Sequence, residues 1–330
     1  MLGRRFVTIP GYAIAWVVWL GAAPLWAPVA LLVDLVRRSQ GVALRSAALV
    51  SVYLTCEIAG VAASAGLWLW RRLFGIPQEK WLELHFRLEA WWGATLFRAI
   101  VAIFGLRLEI EGDAELAGGP YLLLVRHASS ADTLLASALV SRPNGVRLRY
   151  VLKRELLWDP CLDIVGNRLP NVFVDRFAED SRGEVHGVRE IARDLGEKDG
   201  VLIYPEGTRF SHAKRQQILE RFEQQGDTKM LEYASSLASV LPPRLGGTLG
   251  LLEAAPEADV VVCVHTGFEG VASLADIWNG ALLHRVIRVY FRRIPRDEIP
   301  IQEDARVAWL LAEWRRVCAW LERPRSDSQK

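Results

Sequence analysis

The sequence predicts an α/β protein with a mixed, mostly parallel sheet flanked by helices, preceded by a hydrophobic helical membrane anchor. Three observations carry that expectation. In 330 residues, 51% are hydrophobic and 13 are tryptophan, and the mean hydropathy of +0.15 is high for a soluble domain of ordinary composition. This apolar excess is concentrated at the N-terminus. After Gly105 the texture changes to short apolar runs alternating with polar, helix-like stretches, the pattern of buried strands and covering helices.

The N-terminal segment justifies the anchor. From Phe6 to Val33 no residue is charged; as a helix those 28 positions would extend roughly 42 Å, enough to cross a ~30 Å hydrocarbon core. A second run, Ser46 to Trp70, carries only Glu57 as a charge, and such a carboxylate must face a helix neighbour or be protonated. Eight of the tryptophans precede residue 93, several near the ends of these runs, where indoles favour the headgroup region. Pro24 and Pro28 make a re-entrant hairpin as compatible as two spans. Arg4, Arg5, Arg71, Arg72, Lys80 and Arg87 on the outer flanks outweigh Arg37, Arg38 and Arg45 between the runs. That balance places the C-terminal part of the chain on the cytoplasmic side of an inner or cytoplasmic membrane.

From Gln78 to Phe104 charged and aromatic residues alternate at helical spacing (Trp81, Leu84, Leu88, Trp91, Trp92), which predicts an amphipathic helix lying on a membrane surface or packed on the next domain. The expected organisation is thus an anchor over 1–77, an amphipathic interfacial helix over 78–104 and an α/β domain over 105–330. Strands are predicted at Leu106–Ile110, Tyr121–Val125, Leu148–Leu152, Val172–Val174, Val201–Tyr204, Val260–His265 and Val286–Arg292. Helices are predicted at Thr133–Val140, Ala178–Leu195, Ala213–Gln224 and Glu303–Glu322, whereas Gly226–Gly250, with Pro242-Pro243 and Gly246-Gly247, reads as an active-site loop.

Several functions are excluded early. Forty Lys+Arg against 38 Asp+Glu leave a net charge of +2 with no dense basic tract, so no nucleic-acid partner is expected. Cys56, Cys161, Cys263 and Cys318 lie far apart without a C-x-x-C pair; they suit a reducing compartment and show neither a zinc site nor a disulfide framework. No nucleophile elbow, P-loop or strand-linked dinucleotide fingerprint is present.

What remains is Arg126-His127-Ala128-Ser129-Ser130-Ala131-Asp132, directly after the apolar run Tyr121–Val125. A His at the carboxyl end of a strand sits where open α/β sheets place ligands, and an Asp at the following helix start can fix its tautomer. Val201-Leu202-Ile203-Tyr204-Pro205-Glu206-Gly207-Thr208-Arg209 is a second strand ending in a polar turn, where Gly207 permits a tight backbone and Arg209 offers a fork suited to phosphate. Asn171-Val172-Phe173-Val174-Asp175-Arg176 delivers another arginine. One histidine and two arginines at three strand ends point to an anionic substrate with a transferable proton.

These residues resemble the PlsC-type glycerolipid acyltransferases, a family that includes 1-acylglycerol-3-phosphate (lysophosphatidic acid) acyltransferases. His127 and Asp132 match its H-x4-D motif, Gly166 to Arg176 its second block, and Tyr204 to Arg209 its F-P-E-G-T-R block with Tyr for Phe. Val260 to His265 occupies the place of the fourth block without its usual proline, and Lys153-Arg154-Glu155-Leu156 is similar to a lysine-bearing segment. Phe210-Ser211 and Leu241-Pro242-Pro243-Arg244 look most like the branch of eukaryotic-type lysophosphatidic and lysocardiolipin acyltransferases. The resemblance covers about residues 100 to 295 and implies a glycerol-3-phosphate acyltransferase-like fold. It implies His127 as general base oriented by Asp132, and acceptor phosphate bound by Arg176 and by Glu206, Gly207, Thr208 and Arg209, with Glu206 bracing the turn or an arginine. Lys153 and Arg244 are secondary candidates for the same anion. It further implies an acyl-CoA or acyl-carrier-protein co-substrate, membrane lysophospholipid as acceptor, and neither cofactor nor metal. Arg126 stands where many members have Asn, and no role is carried over to it. Another lysophospholipid acceptor, or a non-catalytic lipid-binding scaffold, are the competing expectations.

Overall fold

The structure is a computed structural model that describes residues 2–129, 131–174, 187–271 and 273–323. All seven expected strands are present: β1 (Arg107–Glu111), β2 (Tyr121–Val125), β3 (Arg147–Lys153), β4 (Val172–Val174), β5 (Asp199–Ile203), β6 (Asp259–Thr266) and β7 (Val286–Ile294). Two compact units divide the chain. A strand-rich unit holds residues 109–128, 185–267 and 288–330, and a helical unit holds 1–108, 129–184 and 268–287.

In the strand-rich unit the strands run in the order β1-β7-β6-β2-β5. β2 pairs in parallel with both β5 and β6, and β7 closes antiparallel on β6. Every residue of β2 (Tyr-Leu-Leu-Leu-Val) is buried, as is every residue of β5, so β2, and β5 from Val201 on, read as unbroken apolar runs rather than alternating ones. The α13 helix (Glu303–Leu321) turns Leu310, Trp314 and Val317 inward at helical spacing. The Trp314 indole N–H donates to the Leu241 carbonyl at 3.0 Å, which ties α13 to the segment before Pro242. Residues 226–250 are not one loop. They form α10 (Thr228–Ser235) and α11 (Leu245–Ala254), joined by an irregular stretch around Pro242-Pro243. The glycines of α11 mask its helical pattern, and buried Thr248, Gly250, Leu251 and Leu252 show that packing overrides their propensity. α9 (His212–Gln224) lies where expected, its start capped by the Ser211 hydroxyl accepting from the Lys214 N–H.

The helical unit comprises α1 (Leu2–Gly21), α2 (Ala23–Arg37), α3 (Val42–Phe74), α4 (Gln78–Phe104), α5 (Asp132–Ala136), α7 (Pro160–Gly166) and α12 (Leu274–Trp278), with the parallel pair β3–β4. A short helical turn, α6 (Arg142–Asn144), and a helical stretch of the strand-rich unit, α8 (187–190), complete the described elements. The expected helix from Thr133 is broken. α5 passes into a π-type turn at Ser137–Ser141. Of the helix expected at Ala178–Leu195, residues 178–186 lie outside the described residues.

Of the four strand pairs described in register, three are parallel, which is the mixed, mostly parallel arrangement expected.

α3 is long and apolar enough to cross a membrane, and α1 with α2 meets the same test only as a pair bent by 68°. The described residues thus hold one such helix, or two if the bent pair is one span. Pro24 opens α2 just past that bend, and the Trp26 indole donates to the Trp19 carbonyl across it at 2.8 Å.

The N-terminal helices do not stand apart as an anchor module. Glu57, fully buried on α3, accepts from the Trp92 indole of α4 at 2.8 Å and from the Cys161 N–H of α7 at 3.0 Å. Asp163 of α7, also fully buried, pairs with Arg4 at 2.7 Å and Arg5 at 2.8 Å. Tyr53 donates to Asp159 at 3.0 Å, and Arg168 to the Ser64 hydroxyl at 2.7 Å. At Gly60 a Cβ would fall 2.3 Å from the Cys161 sulfur, so the close approach of α3 to α7 requires glycine. The boundary expected at residue 77 is therefore a turn within one packed unit, because buried charges must find partners and hydropathy does not show where those partners lie.

α4 packs into the same unit. Ala94, Leu96, Phe97, Ile100 and Phe104 are buried along it, with Trp81, Phe86 and Leu88 one stretch earlier, so the aromatic stripe is core packing.

Candidate active site

In the strand-rich unit, parallel pairing puts the carboxyl ends of β2, β5 and β6 at one edge of the sheet, the side on which open α/β sheets bind ligands. The ladder continues one residue past β2, the Arg126 N–H donating to the Cys263 carbonyl at 3.0 Å. The Arg126 side chain is buried. Its guanidinium donates to the His265 carbonyl at 2.7 Å and the Ser239 carbonyl at 3.3 Å, while a His265 ring nitrogen lies 2.9 Å from the Arg126 carbonyl. Sequence reasoning left Arg126 without a role and passed over His265. Together they clamp the backbone from which His127 projects.

His127 is 5% exposed, and its main chain is held on both sides by the segment after β5. Its N–H donates to Glu206 Oε1 at 2.9 Å, and its carbonyl accepts from the Phe210 N–H at 2.9 Å. The imidazole leans on the Tyr204 ring with 4.3 Å between centroids. Glu206 Oε2 accepts from the Leu241 N–H at 2.9 Å. Both oxygens of this 2% exposed carboxylate thus serve backbone amides of two other segments. Glu206 thus braces the turn, the role the sequence reading gave it beside phosphate binding.

Gly207 has φ +66 and closes the turn by donating to the Tyr204 carbonyl at 2.8 Å. Arg244 lies directly against it, so that a Cβ at Gly207 would meet Arg244 Cδ at 2.6 Å and Nε at 2.8 Å. The Arg244 N–H also donates to the Pro205 carbonyl at 2.8 Å. Lys214, absent from the expected set, donates to the Thr208 hydroxyl at 2.8 Å and the Arg209 carbonyl at 3.1 Å. Its only sequence signal is its position in the first turn of α9. His127, Glu206, Gly207, Thr208, Arg209, Lys214 and Arg244 thus form one cationic turn at the strand ends.

Gly207→Ala tests that packing. The left-handed backbone costs an L-residue roughly 1–2 kcal/mol, and the contact with Arg244 adds to it. The melting temperature should fall, and Gly207→Ala combined with Arg244→Ala should recover only the contact part. Equal losses in the single and double variants would mean that Arg244 is not pressed on the turn.

In the helical unit Asp132 is fully buried at the start of α5, where its Oδ2 accepts from the Ser129 N–H at 2.8 Å. The Ser129 hydroxyl donates to the Val271 carbonyl at 2.7 Å. Lys153, partly buried, ends β3 in register with Val174 of β4. Arg176 lies outside the described residues. Ahead of β4, Asn171 accepts from the Tyr150 N–H at 2.7 Å and donates to Glu89 of α4 at 3.0 Å. Burial pushes the Glu89 carboxyl up to about 8, against the lowering effect of Asn171.

That shift has a signed consequence. Between the ordinary carboxylate value of about 4.3 and about 8, the folded chain keeps a proton that the unfolded chain has lost, so stability falls as pH rises, at most about 1.4 kcal/mol per pH unit. Glu89→Gln, which can still accept from Asn171, should flatten the fall in melting temperature between about pH 5 and about pH 8. An unchanged slope would place the pH dependence elsewhere.

The candidate site is thus a histidine delivered by a buried parallel strand beside a cationic turn. Residues 107–266 match the family described as Acyltransferase. Lysophosphatidylinositol acyltransferase 10 of Caenorhabditis elegans is 23% identical over 252 residues, 73% of this chain and 63% of that protein. 1-acyl-sn-glycerol-3-phosphate acyltransferase epsilon of Mus musculus is 23% identical over 62% of this chain and 58% of its own length. The chain thus spans about three fifths of the length of these curated relatives. The crystal structure of the 1-acyl-sn-glycerophosphate (LPA) acyltransferase PlsC from Thermotoga maritima matches with a TM-score of 0.53 at 14% identity. That match covers 87% of this chain and 97% of that one, and the fold is shared.

Proposed function

We propose that this chain is a membrane-bound acyltransferase that moves a fatty acyl group from an acyl thioester to the free hydroxyl of lysophosphatidic acid, giving phosphatidic acid. The observation that carries the reading is His127 at the end of β2, its backbone pinned by Glu206 and Phe210 of the cationic turn. The acceptor hydroxyl attacks the thioester carbonyl as the His127 imidazole takes its proton. The tetrahedral adduct then expels the thiolate, which the imidazolium protonates. Asp132 is assigned to hold the imidazolium, in keeping with the H-x4-D spacing. No acyl-enzyme, metal or cofactor is called for, since the thioester is already activated; acyl-CoA or acyl-carrier protein is the donor. Arg209 and Arg176 bind the acceptor phosphate with the backbone of Gly207 and Thr208, and Arg244 and Lys153 add positive charge. The apolar helices give access to acceptor and acyl chain in the bilayer, and the flanking arginines favour a cytoplasmic-face site.

The test is thiol release from acyl-CoA by detergent-purified protein with and without lysophosphatidic acid. Acceptor-dependent release with phosphatidic acid as product supports the reading. Release equal in both would mean a hydrolase, and silence with every lysolipid and with acyl-carrier-protein donors would leave a scaffold. Arg209→Lys should raise the acceptor KM with little change in kcat, because the ammonium lacks the planar fork. A second acceptor class is favoured by the similarity to a lysophosphatidylinositol acyltransferase; kcat/KM across a lysolipid panel separates the two.

A further inference from the structure

Outside the N-terminal helices, large apolar side chains with high exposure are few among the described residues. Two of them share one face of α12, one helical turn apart: Leu274 is 77% exposed and Trp278 is 41% exposed. The helix is built to hold that face outward. Ser273 and Asp276 form a reciprocal capping box at its start, which fixes even so short a helix.

Its position within the helical unit gives this face a neighbour. Asn279, at the end of α12, accepts from the Arg37 guanidinium at 3.2 Å, and Arg37 is the last residue of α2. A methyl group at Gly280 would touch Val42, the first residue of α3, at 3.4 Å. α12 is therefore fastened at the turn joining the two apolar helices. Leading up to that turn, α2 exposes Leu25, Val29, Leu31, Leu32, Leu35 and Val36. Arg37 and Arg38 supply exposed cations there, the charge that lipid phosphates attract. An exposed tryptophan and leucine near the end of an apolar helix and its pair of arginines match the chemistry of a bilayer interface.

The same segment reaches the H-x4-D loop. Val271, two residues before the capping Ser273, accepts from the Ser129 hydroxyl at 2.7 Å, and the Ser129 N–H donates to Asp132. We propose that α12 is a lipid-seated helix: Leu274 and Trp278 enter the headgroup–acyl boundary beside α2, and the segment leading into α12 holds the Ser129–Asp132 loop at that surface. This rests on the membrane reading above.

Spin labels at Leu274→Cys, Trp278→Cys and, as a reference on α2, Leu32→Cys test it in the full chain. The four native cysteines are buried and leave the label to the new sites. The protein is placed in vesicles of phosphatidylethanolamine and phosphatidylglycerol, and collision with oxygen is compared with collision with a nickel chelate. Labels at 274 and 278 should report a depth of about 5–10 Å, with oxygen favoured as at residue 32. Nickel access at 274 and 278 equal to that of free nitroxide in buffer, with residue 32 still lipid-like, overturns the proposal and leaves the membrane reading standing. Nickel access at all three positions overturns both.

Discussion

His127→Ala should lower kcat/KM with lysophosphatidic acid by at least about 10²–10⁴-fold, the range general-base catalysis contributes, while membrane recovery and melting temperature stay near wild type. The split follows from the geometry. The bonds that hold this position run through the main chain, to Glu206 and from Phe210, and survive truncation of the ring. What is lost is the imidazole and its packing on Tyr204. Purified His127→Ala protein turning over at the wild-type rate would remove the base assignment. A collapse in melting temperature would instead make the histidine structural.

Glu206→Ala should act in the opposite sense, on both folding and rate. It strands the buried amides of His127 and Leu241, and each unsatisfied buried donor costs about 1–3 kcal/mol. The melting temperature should drop by several degrees and kcat should fall with His127 displaced. The acceptor KM should change little, because both carboxylate oxygens are taken up by backbone amides. Glu206→Gln keeps one oxygen acceptor and turns an amide N–H toward the other donor, so it should recover part of the loss. A variant with unchanged stability and a raised acceptor KM would restore a direct role in binding.

The strands were the most legible part of the chain. Tyr121–Val125 and Val260–His265 are apolar without interruption because both faces are covered, and no helix of that length competes with such a reading. The residues His127 and Glu206 to Arg209 announced themselves as polar turns after those runs. The partners did not. Leu241 lies 35 positions after Glu206 and Ser239 lies 113 after Arg126, and no local pattern marks a backbone amide or carbonyl as a future ligand. The same blindness explains the apolar helices. Hydropathy registered Ser46–Trp70 as lipid-facing, while Glu57 and Ser64 within it are fully buried against α7 and its neighbours. The stripe on α4 was ambiguous for a related reason, since an amphipathic period is equally served by a membrane surface and by a protein core.

The bonds from Arg4, Arg5, Tyr53, Glu57 and Ser64 to α7 and Arg168 bear on exchange of parts between proteins. An unrelated apolar hairpin grafted in place of residues 1–77 would match in hydropathy yet bring no guanidinium to Asp163 and no carboxylate to the Cys161 amide. Such a chimera should be recovered in membranes and still melt early, its buried acid unpaired. The leading helices are thus not an interchangeable address label; they travel with the partners they neutralise.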